Sequence, residues 1–322
     1  MRILVTGGNG YIGARLCLNL ADEGFDVIPI CRSRRPEDKV WASKMHQILV
    51  GDLNTEYIYG DISHINPDII IHLVSLDHFD SEKEPGYVTD INVKPTWKLL
   101  DISKKIGVNK FIYFSTTQVY GKPDPIKLNE STLPNPKNAY GLTHLMSESI
   151  CEYYNRNSEF EVINVRLSNS YGSPIFKENN CWWLAINDLC KGAYYNNKIE
   201  LLSDGSPLRD FIHGEDVSNA VLKLIEKTDK LDNEIYHISS ATTYSLLEVA
   251  FIIQSVYKDK YNKLLPIHTP SGIAPEKNIN NNNSNRFTFE NSKIKNLGFE
   301  LNYSLKQGIQ ELFNYFERTS DY

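Results

Sequence analysis

Apolar positions fall along this chain in two alternating rhythms. The run Arg2-Ile3-Leu4-Val5 is short and nearly all apolar, as a strand buried on both faces requires, and it passes into Thr6-Gly7-Gly8-Asn9-Gly10-Tyr11-Ile12-Gly13. Ile12, Leu16 and Leu20 then recur at helical spacing, with Leu18 and Ala21 beside them, and Gly24 closes that helix before the β-rich run 25–31. Residues 48–53, 67–75 and 108–114 read as three more buried strands. Asn92 opens a helix carrying Val93, Trp97, Leu100 and Ile106 and ended by Gly107, and a proline turn at 135–138 delivers Tyr140 to a helix running through Tyr154. Strands alternating with helices predict an α/β fold, a Rossmann-type doubly wound parallel sheet.

Beyond about residue 165 the pattern predicts a smaller α/β lobe. Its elements are a helix over 181–192, short strands at 199–202 and 210–213 around a turn at Gly205, and helices over 217–225 and 245–257. A strand at 235–238 returns to the main sheet, and a closing helix carries Leu305, Ile309, Leu312 and Phe316. The nearly pure asparagine tract 278–285 is low in complexity and reads as a mobile loop. The expected division is 1–165 for the dinucleotide-binding domain and 166–322 for the lobe, with about 206–245 returning to the first.

Gly8-x-Gly10-x-x-Gly13 lies where a strand turns into a helix, and a second strand follows, so the pattern fits a dinucleotide fingerprint rather than an ordinary βα turn. Gly7, Gly10, Tyr11, Ile12 and Gly13 are the expected cofactor contacts, with the helix amino end supplying N–H donors to the phosphates. A carboxylate at the end of the second strand would select NAD. Cys31 stands there instead, followed by Arg32-Ser33-Arg34-Arg35, which favours NADP(H) through a guanidinium on a 2′-phosphate; NAD(H) remains open, and a solvated basic turn is the alternative. Asp52, with Leu53 after it, is placed to accept from the adenine amino group, or else forms a plain turn. The end of the fourth strand, at Leu73, should run beneath the cofactor, with His72 a packed strand residue.

In an open parallel sheet, chemistry gathers at the carboxyl ends of strands. The hydroxyl cluster Ser115-Thr116-Thr117 sits at such an end. Tyr140 follows, with His144 one turn later on the same helix face, a spacing that can set a donor or cation beside a phenol, although a surface tyrosine and a helix-face histidine have the same spacing.

These motifs, in this order, resemble the extended short-chain dehydrogenase/reductases, the NAD(P)-dependent epimerase/dehydratase family acting on nucleotide sugars. The likeness runs through Gly7 to Gly13, Gly51-Asp52-Leu53, Asn92, Ser115 to Gly121, Tyr140, Arg166 to Gly172, Arg209-Asp210-Phe211-Ile212-His213 with Asp216-Val217, and Leu297-Gly298-Phe299. The resemblance implies that Tyr140 is the acid/base tyrosine and that Thr116 bonds the same sugar oxygen. It implies that Thr116, Thr117, Asn169 and Arg209 contact a nucleotide-diphosphate sugar, that Asn92 belongs to the cofactor site, and that Lys277 or Arg286 grips the diphosphate. The 181–192 helix is expected to line the sugar site, although stacked tryptophans such as Trp182 and Trp183 are more often core than ligand platforms. The resemblance further implies a homodimer built from the helices near Asn92 and Tyr140, with which their second apolar faces (Trp97 and Leu100; Ile150 and Tyr154) are compatible, though equally compatible with ordinary core. Two departures stand out. His144 occupies the place of the lysine that bonds the nicotinamide ribose and lowers the tyrosine pKa, and a histidine there would be expected to change charge near neutral pH. Thr117-Gln118 stands where 4,6-dehydratases carry an Asp-Glu pair, which speaks against that reaction.

Composition narrows the partners. Over 322 residues the net charge is −6, which argues against a nucleic-acid partner, and no apolar stretch reaches the length of a membrane span, so a cytoplasmic protein is expected. The five cysteines show no metal spacing and read as reduced; no metal site is expected. Three functions follow: reduction of a nucleotide-linked 4-keto sugar by NADPH, 4-epimerisation on tightly held NAD, and nucleotide binding without turnover.

Overall fold

The computed structural model describes residues 1–33, 39–122, 127–227, 235–274 and 286–320. Arg34, Arg35, Lys277 and the 278–285 tract lie outside them. Among the described residues the main sheet is seven-stranded: β1 (Arg2–Thr6), β2 (Asp26–Cys31), β3 (Leu49–Val50), β4 (Ile69–His72), β5 (Lys110–Thr116), β6 (Glu161–Leu167) and β7 (Ile235–Ile238), in the order β7-β6-β5-β4-β1-β2-β3. Every pairing is parallel. The order reverses between β1 and β4, which opens a crevice at the carboxyl ends of these two strands.

Residues alternate between the two faces, as a period of two dictates. Ile3, Val5, Ile69, Ile71, Ile112 and Phe114 join one core, and Leu4, Ile70, Phe111 and Tyr113 the other. The first lies under helix α1 (Tyr11–Asp22) and the Gly214–Glu226 helix; the second lies under α3 (Lys94–Ile106) and α4 (Ala139–Asn157). Burying each such side chain is worth about 1.5–3 kcal/mol. A third cluster, from Ile186 to Phe316, holds the second half of the chain together.

Several elements depart from the sequence reading. Asn92 does not open a helix; it is the last residue of α2 (Pro85–Asn92), and α3 begins at Lys94. Pro95, early in α3, has no N–H to continue the ladder and its ring crowds the preceding turn, so one long helix becomes two. β3 has only two residues. The 181–192 helix begins later, at Ala185, because Cys181 to Leu184 forms a turn that seats Trp182 against Tyr315 and Phe316, with ring centroids 5.9 and 5.4 Å away. Leu100, Ile150 and Tyr154 are core residues; the exposed apolar side chains of α3 and α4 are Trp97, Leu142, Met146 and Tyr153.

The two halves of the chain are tied at the glycine turn. Tyr11 Oη donates to Gly172 O at 3.0 Å, Asn179 Nδ2 donates to Asn9 O at 3.0 Å, and the buried Arg15 pairs with Glu215 and, at 3.7 Å, with Glu311.

Candidate active site

The turn after β1 is shaped by its glycines. Gly7 has φ +66°, a left-handed conformation that suits glycine, and its carbonyl accepts from Gly10 N at 2.9 Å. Gly13, in the first turn of α1, lies so close to this loop that a Cβ there would be 2.2 Å from Gly7 O. The result is a cradle of bare backbone at a helix amino end, with Gly10 and the half-buried Tyr11 and Ile12 around it. Arg32 is exposed just past β2, next to Ser33, whose carbonyl accepts from Asn9 Nδ2 at 2.9 Å. Asp52 Oδ1 accepts from Asn54 N at 2.9 Å, so that oxygen serves its own turn, and Leu53 is buried with its carbonyl bonded to Tyr59 Oη at 2.6 Å. Leu73 runs past Gly7 at the end of β4, its amide donating to Thr6 Oγ1 at 3.1 Å. His72 is fully buried between Thr6 and Thr96, a packed residue as expected.

Asn92 is placed differently from the expectation. It is fully buried, its Oδ1 accepts from Leu76 N at 2.8 Å and its Nδ2 donates to Thr143 Oγ1 at 3.0 Å. Its side chain therefore fastens the segment after β4 to α4, and does not face the crevice.

Tyr140 stands in the first turn of α4, capped by Asn138, whose side chain accepts from Gly141 N at 2.7 Å. The Thr116 hydroxyl at the end of β5 and the Ser75 hydroxyl just past β4 lie close enough to act on its phenol, and Thr117, next along the chain, is buried. Ser75 was not singled out from the sequence; a hydroxyl at the carboxyl end of a central strand was the signal. Burial pushes the Tyr140 phenol up to about 12, against the two hydroxyls, which pull it down, and with a further push from the charge of Asp77.

His144 meets Tyr140 edge to face, ring centroids 4.5 Å apart. Only 2 % of it is exposed, and burial lowers its pKa to about 4. The expected change of charge near neutral pH is thus corrected: the imidazole is neutral across that range. It supplies no cation to draw Tyr140 towards phenolate. Its Nδ1 bonds Tyr113 Oη at 2.8 Å, whereas the buried Nε2 has no partner among the described residues.

The remaining candidates lie on a small sheet of the second half. Asn169 sits on the strand Asn169–Tyr171, paired with Leu208–His213, and its Nδ2 donates to Asp210 O at 2.9 Å. Arg209 is exposed and folds back onto Leu208 O at 2.7 Å. Arg286 is committed elsewhere: it pairs with Glu248 at 2.6 Å and donates to Thr243 O, which makes it a structural tie rather than a free phosphate ligand. Gln118, where a dehydratase would carry an acid, accepts from Asn138 Nδ2 at 2.8 Å. Among the described residues no group of three or more His, Cys, Asp or Glu is placed to hold a metal, and no helix is long and apolar enough to cross a membrane. All five cysteines are buried, and none forms a disulfide among the described residues.

A glycine cradle at the switch point of a parallel sheet, with a half-buried tyrosine and two hydroxyls, defines a nucleotide-dependent oxidoreductase of the short-chain dehydrogenase/reductase class. The profile of the NAD dependent epimerase/dehydratase family matches residues 3–239. The chain belongs to that family, whose relatives act on nucleotide sugars. It is 24% identical to mouse dTDP-D-glucose 4,6-dehydratase over 98% of this chain and 89% of that protein. It is 30% identical to UDP-glucose 4-epimerase of Erwinia amylovora over 77% of this chain and 81% of that protein. Among solved structures it resembles UDP-glucuronic acid 4-epimerase of Bacillus cereus, in complex with UDP-glucuronic acid and NAD, with a TM-score of 0.80, 22% identity and 99% of each chain covered.

Proposed function

We propose that this protein reduces a 4-keto sugar carried on a nucleoside diphosphate, with NADP(H) as the favoured cofactor. The observation that carries the reading is the protonation state of Tyr140: with its pKa pushed up to about 12 and a neutral His144 beside it, the phenol is a proton donor at neutral pH. A donor is what a carbonyl oxygen needs as it becomes a hydroxyl.

The residues fit a nicotinamide dinucleotide: Gly7, Gly10 and Gly13 let the turn close tightly on the amino end of α1, where a Cβ at Gly10 or Gly13 would meet Gly7 O at 3.0 or 2.2 Å, and His144 Nε2 is a buried ring nitrogen with a hydrogen bond still to make. The bound dinucleotide supplies the hydride. Tyr140 gives its proton to the sugar oxygen, Thr116 and Ser75 hold the phenol and that oxygen in line, and Thr117 borders the sugar. Arg32 meets the adenosine end, with Asp52 and Leu53 flanking the adenine, and Asn169 and Arg209 take the diphosphate side. Residues 166–322 form the sugar-binding lobe apart from the segments that return to the main sheet. Trp97, Leu142, Met146 and Tyr153 form the face through which two copies pair.

A second reading is 4-epimerisation on retained NAD, favoured by the UDP-glucose 4-epimerase relative. Denaturing the purified protein and weighing what it releases separates the two. Empty protein or released NADP(H), with NADPH oxidised by a member of a panel of nucleotide-linked 4-keto sugars, supports the reductase. Stoichiometric NAD or NADH, with sugar conversion needing no added reductant, moves the reading to the epimerase.

A further inference from the structure

The crevice at the ends of β1 and β4 has two lips, the glycine turn after β1 and the segment that follows β4, and one stretch of the second half touches both. At the glycine lip, Asn179 Nδ2 donates to Asn9 O at 3.0 Å. Four residues on, Trp183 packs against the other lip, its ring centroid 5.1 Å from that of His78 and 5.9 Å from that of Phe79, which it meets edge to face. Each end is braced locally. Asn179 Oδ1 accepts from Phe176 N at 3.2 Å, its carbonyl accepts from Cys181 N at 2.9 Å, and Trp183 Nε1 donates to Asn180 O at 3.1 Å. On the facing lip Asp77 Oδ1 accepts from Phe79 N at 3.0 Å and from Asp80 N at 2.9 Å, and the rings of His78 and Phe79 lie 3.9 Å apart. Glu82, further along, accepts from Ala139 N at 2.6 Å, which fixes this lip to the helix of Tyr140. Residues 176–184 therefore bridge the crevice from lip to lip.

The two ends of the bridge are held differently. Asn179 is 3 % exposed, and the chain just before it is tied to α1 where Arg15 Nη2 donates to Ser173 O at 2.5 Å. Phe79 is 60 % exposed and Trp183 38 %. Breaking a buried polar bond strands a donor and an acceptor, whereas separating half-wet rings forfeits only their mutual contact. The aromatic end is the one that opens first.

We propose that residues 176–184 are a strap across the crevice, anchored at Asn179 and clasped by Trp183 on His78 and Phe79, and that parting of the clasp admits and releases the dinucleotide. A dinucleotide with its phosphates on the glycine turn and its nicotinamide towards Tyr140 runs from one lip to the other and lies beneath the strap; that placement rests on the functional reading above. The clasp then sets how fast the cofactor exchanges, which a reductase needs between turnovers and an epimerase does not.

Stopped-flow association and dissociation of NADPH and of NADH, followed by nicotinamide fluorescence, test the clasp without turnover. A gate crossed in both directions speeds entry and exit alike, so Trp183→Ala should raise kon and koff by the same factor and leave Kd unchanged. One aromatic pair shifts an equilibrium by about 2- to 13-fold, and the rates should rise by a factor in that range. Phe79→Ala keeps the contact of His78 with Trp183 and should give a smaller rise in both rates, while the double variant should match Trp183→Ala, because the two rings act through one contact. Phe79 is exposed enough that truncating it opens no cavity, so this variant keeps its fold. A rise in koff alone, with weaker Kd, means that the rings hold the dinucleotide directly; unchanged rates mean that it does not pass the strap. Either result overturns the proposal and leaves the functional reading standing. A parent protein that binds neither NADPH nor NADH overturns that reading, and the clasp with it.

Discussion

The rings of Tyr140 and His144 meet edge to face with centroids 4.5 Å apart, yet the imidazole's one hydrogen bond among the described residues is made not to that phenol but to Tyr113. Proximity without charge leaves Tyr140 an ordinary phenol made weaker still as an acid by burial.

His144→Lys should change this in a definite direction. Proton donation by Tyr140 is intact below its pKa of about 12 and is lost as pH rises through it. An ammonium at position 144 would lower that pKa, by about 1–3 units for opposite charges at this range. The alkaline fall of kcat/KM for sugar reduction should then begin at correspondingly lower pH, and the reverse oxidation should gain at neutral pH. Profiles that coincide for the variant and the parent would contradict the neutral imidazole.

Tyr140→Phe removes the proton donor and keeps the ring. General acid catalysis contributes roughly 10²–10⁴-fold, so kcat should fall by that factor while dinucleotide affinity changes little. Single-turnover hydride transfer with a preformed complex reads the chemical step directly.

Gly13→Ala forces a methyl to 2.2 Å from Gly7 O, where the neighbour is backbone and cannot swing aside. Overpacking of this kind costs about 1–3 kcal/mol. The expected outcome is a lower denaturation midpoint together with loss of dinucleotide binding, followed by reduced-nicotinamide fluorescence.

Beneath the site, Arg166 and Glu148 pair at 2.6 Å with side chains 2% and 5% exposed, and Arg166 also donates to Tyr120 Oη at 2.7 Å. Glu148→Gln strands a buried cation, a loss of about 3–5 kcal/mol. Replacing both with apolar residues of similar size should be milder than the single change, which urea unfolding of the three proteins would measure.

Much of this was legible in the chain because it depends on neighbours in sequence. The glycine turn, the strand ends at Thr6, Leu73 and Thr116, and the Tyr140 helix start all come from local pattern. The break after Asn92 was legible too, in Pro95, but the short helix that ends at Asn92 went unread and the next one was started two residues early. What the pattern could not show depends on burial and on long-range partners. Tyr113 and His144 are 31 residues apart and meet only because β5 packs beneath α4. The pKa of His144 follows from the closure of that core around it, and Leu100, Ile150 and Tyr154 turn inward because the sheet, not a second copy, covers them. Arg286 has the right charge for a phosphate, and only the fold reveals that Glu248 has already claimed it.

The bonds from Tyr11 to Gly172 and from Asn179 to Asn9, with the buried Arg15 between Glu215 and Glu311, join the glycine cradle to the second half of the chain at one edge. A hinge along that edge would have to break them together. Opening there is therefore an all-or-none event, since no one of these ties can be released while the others hold.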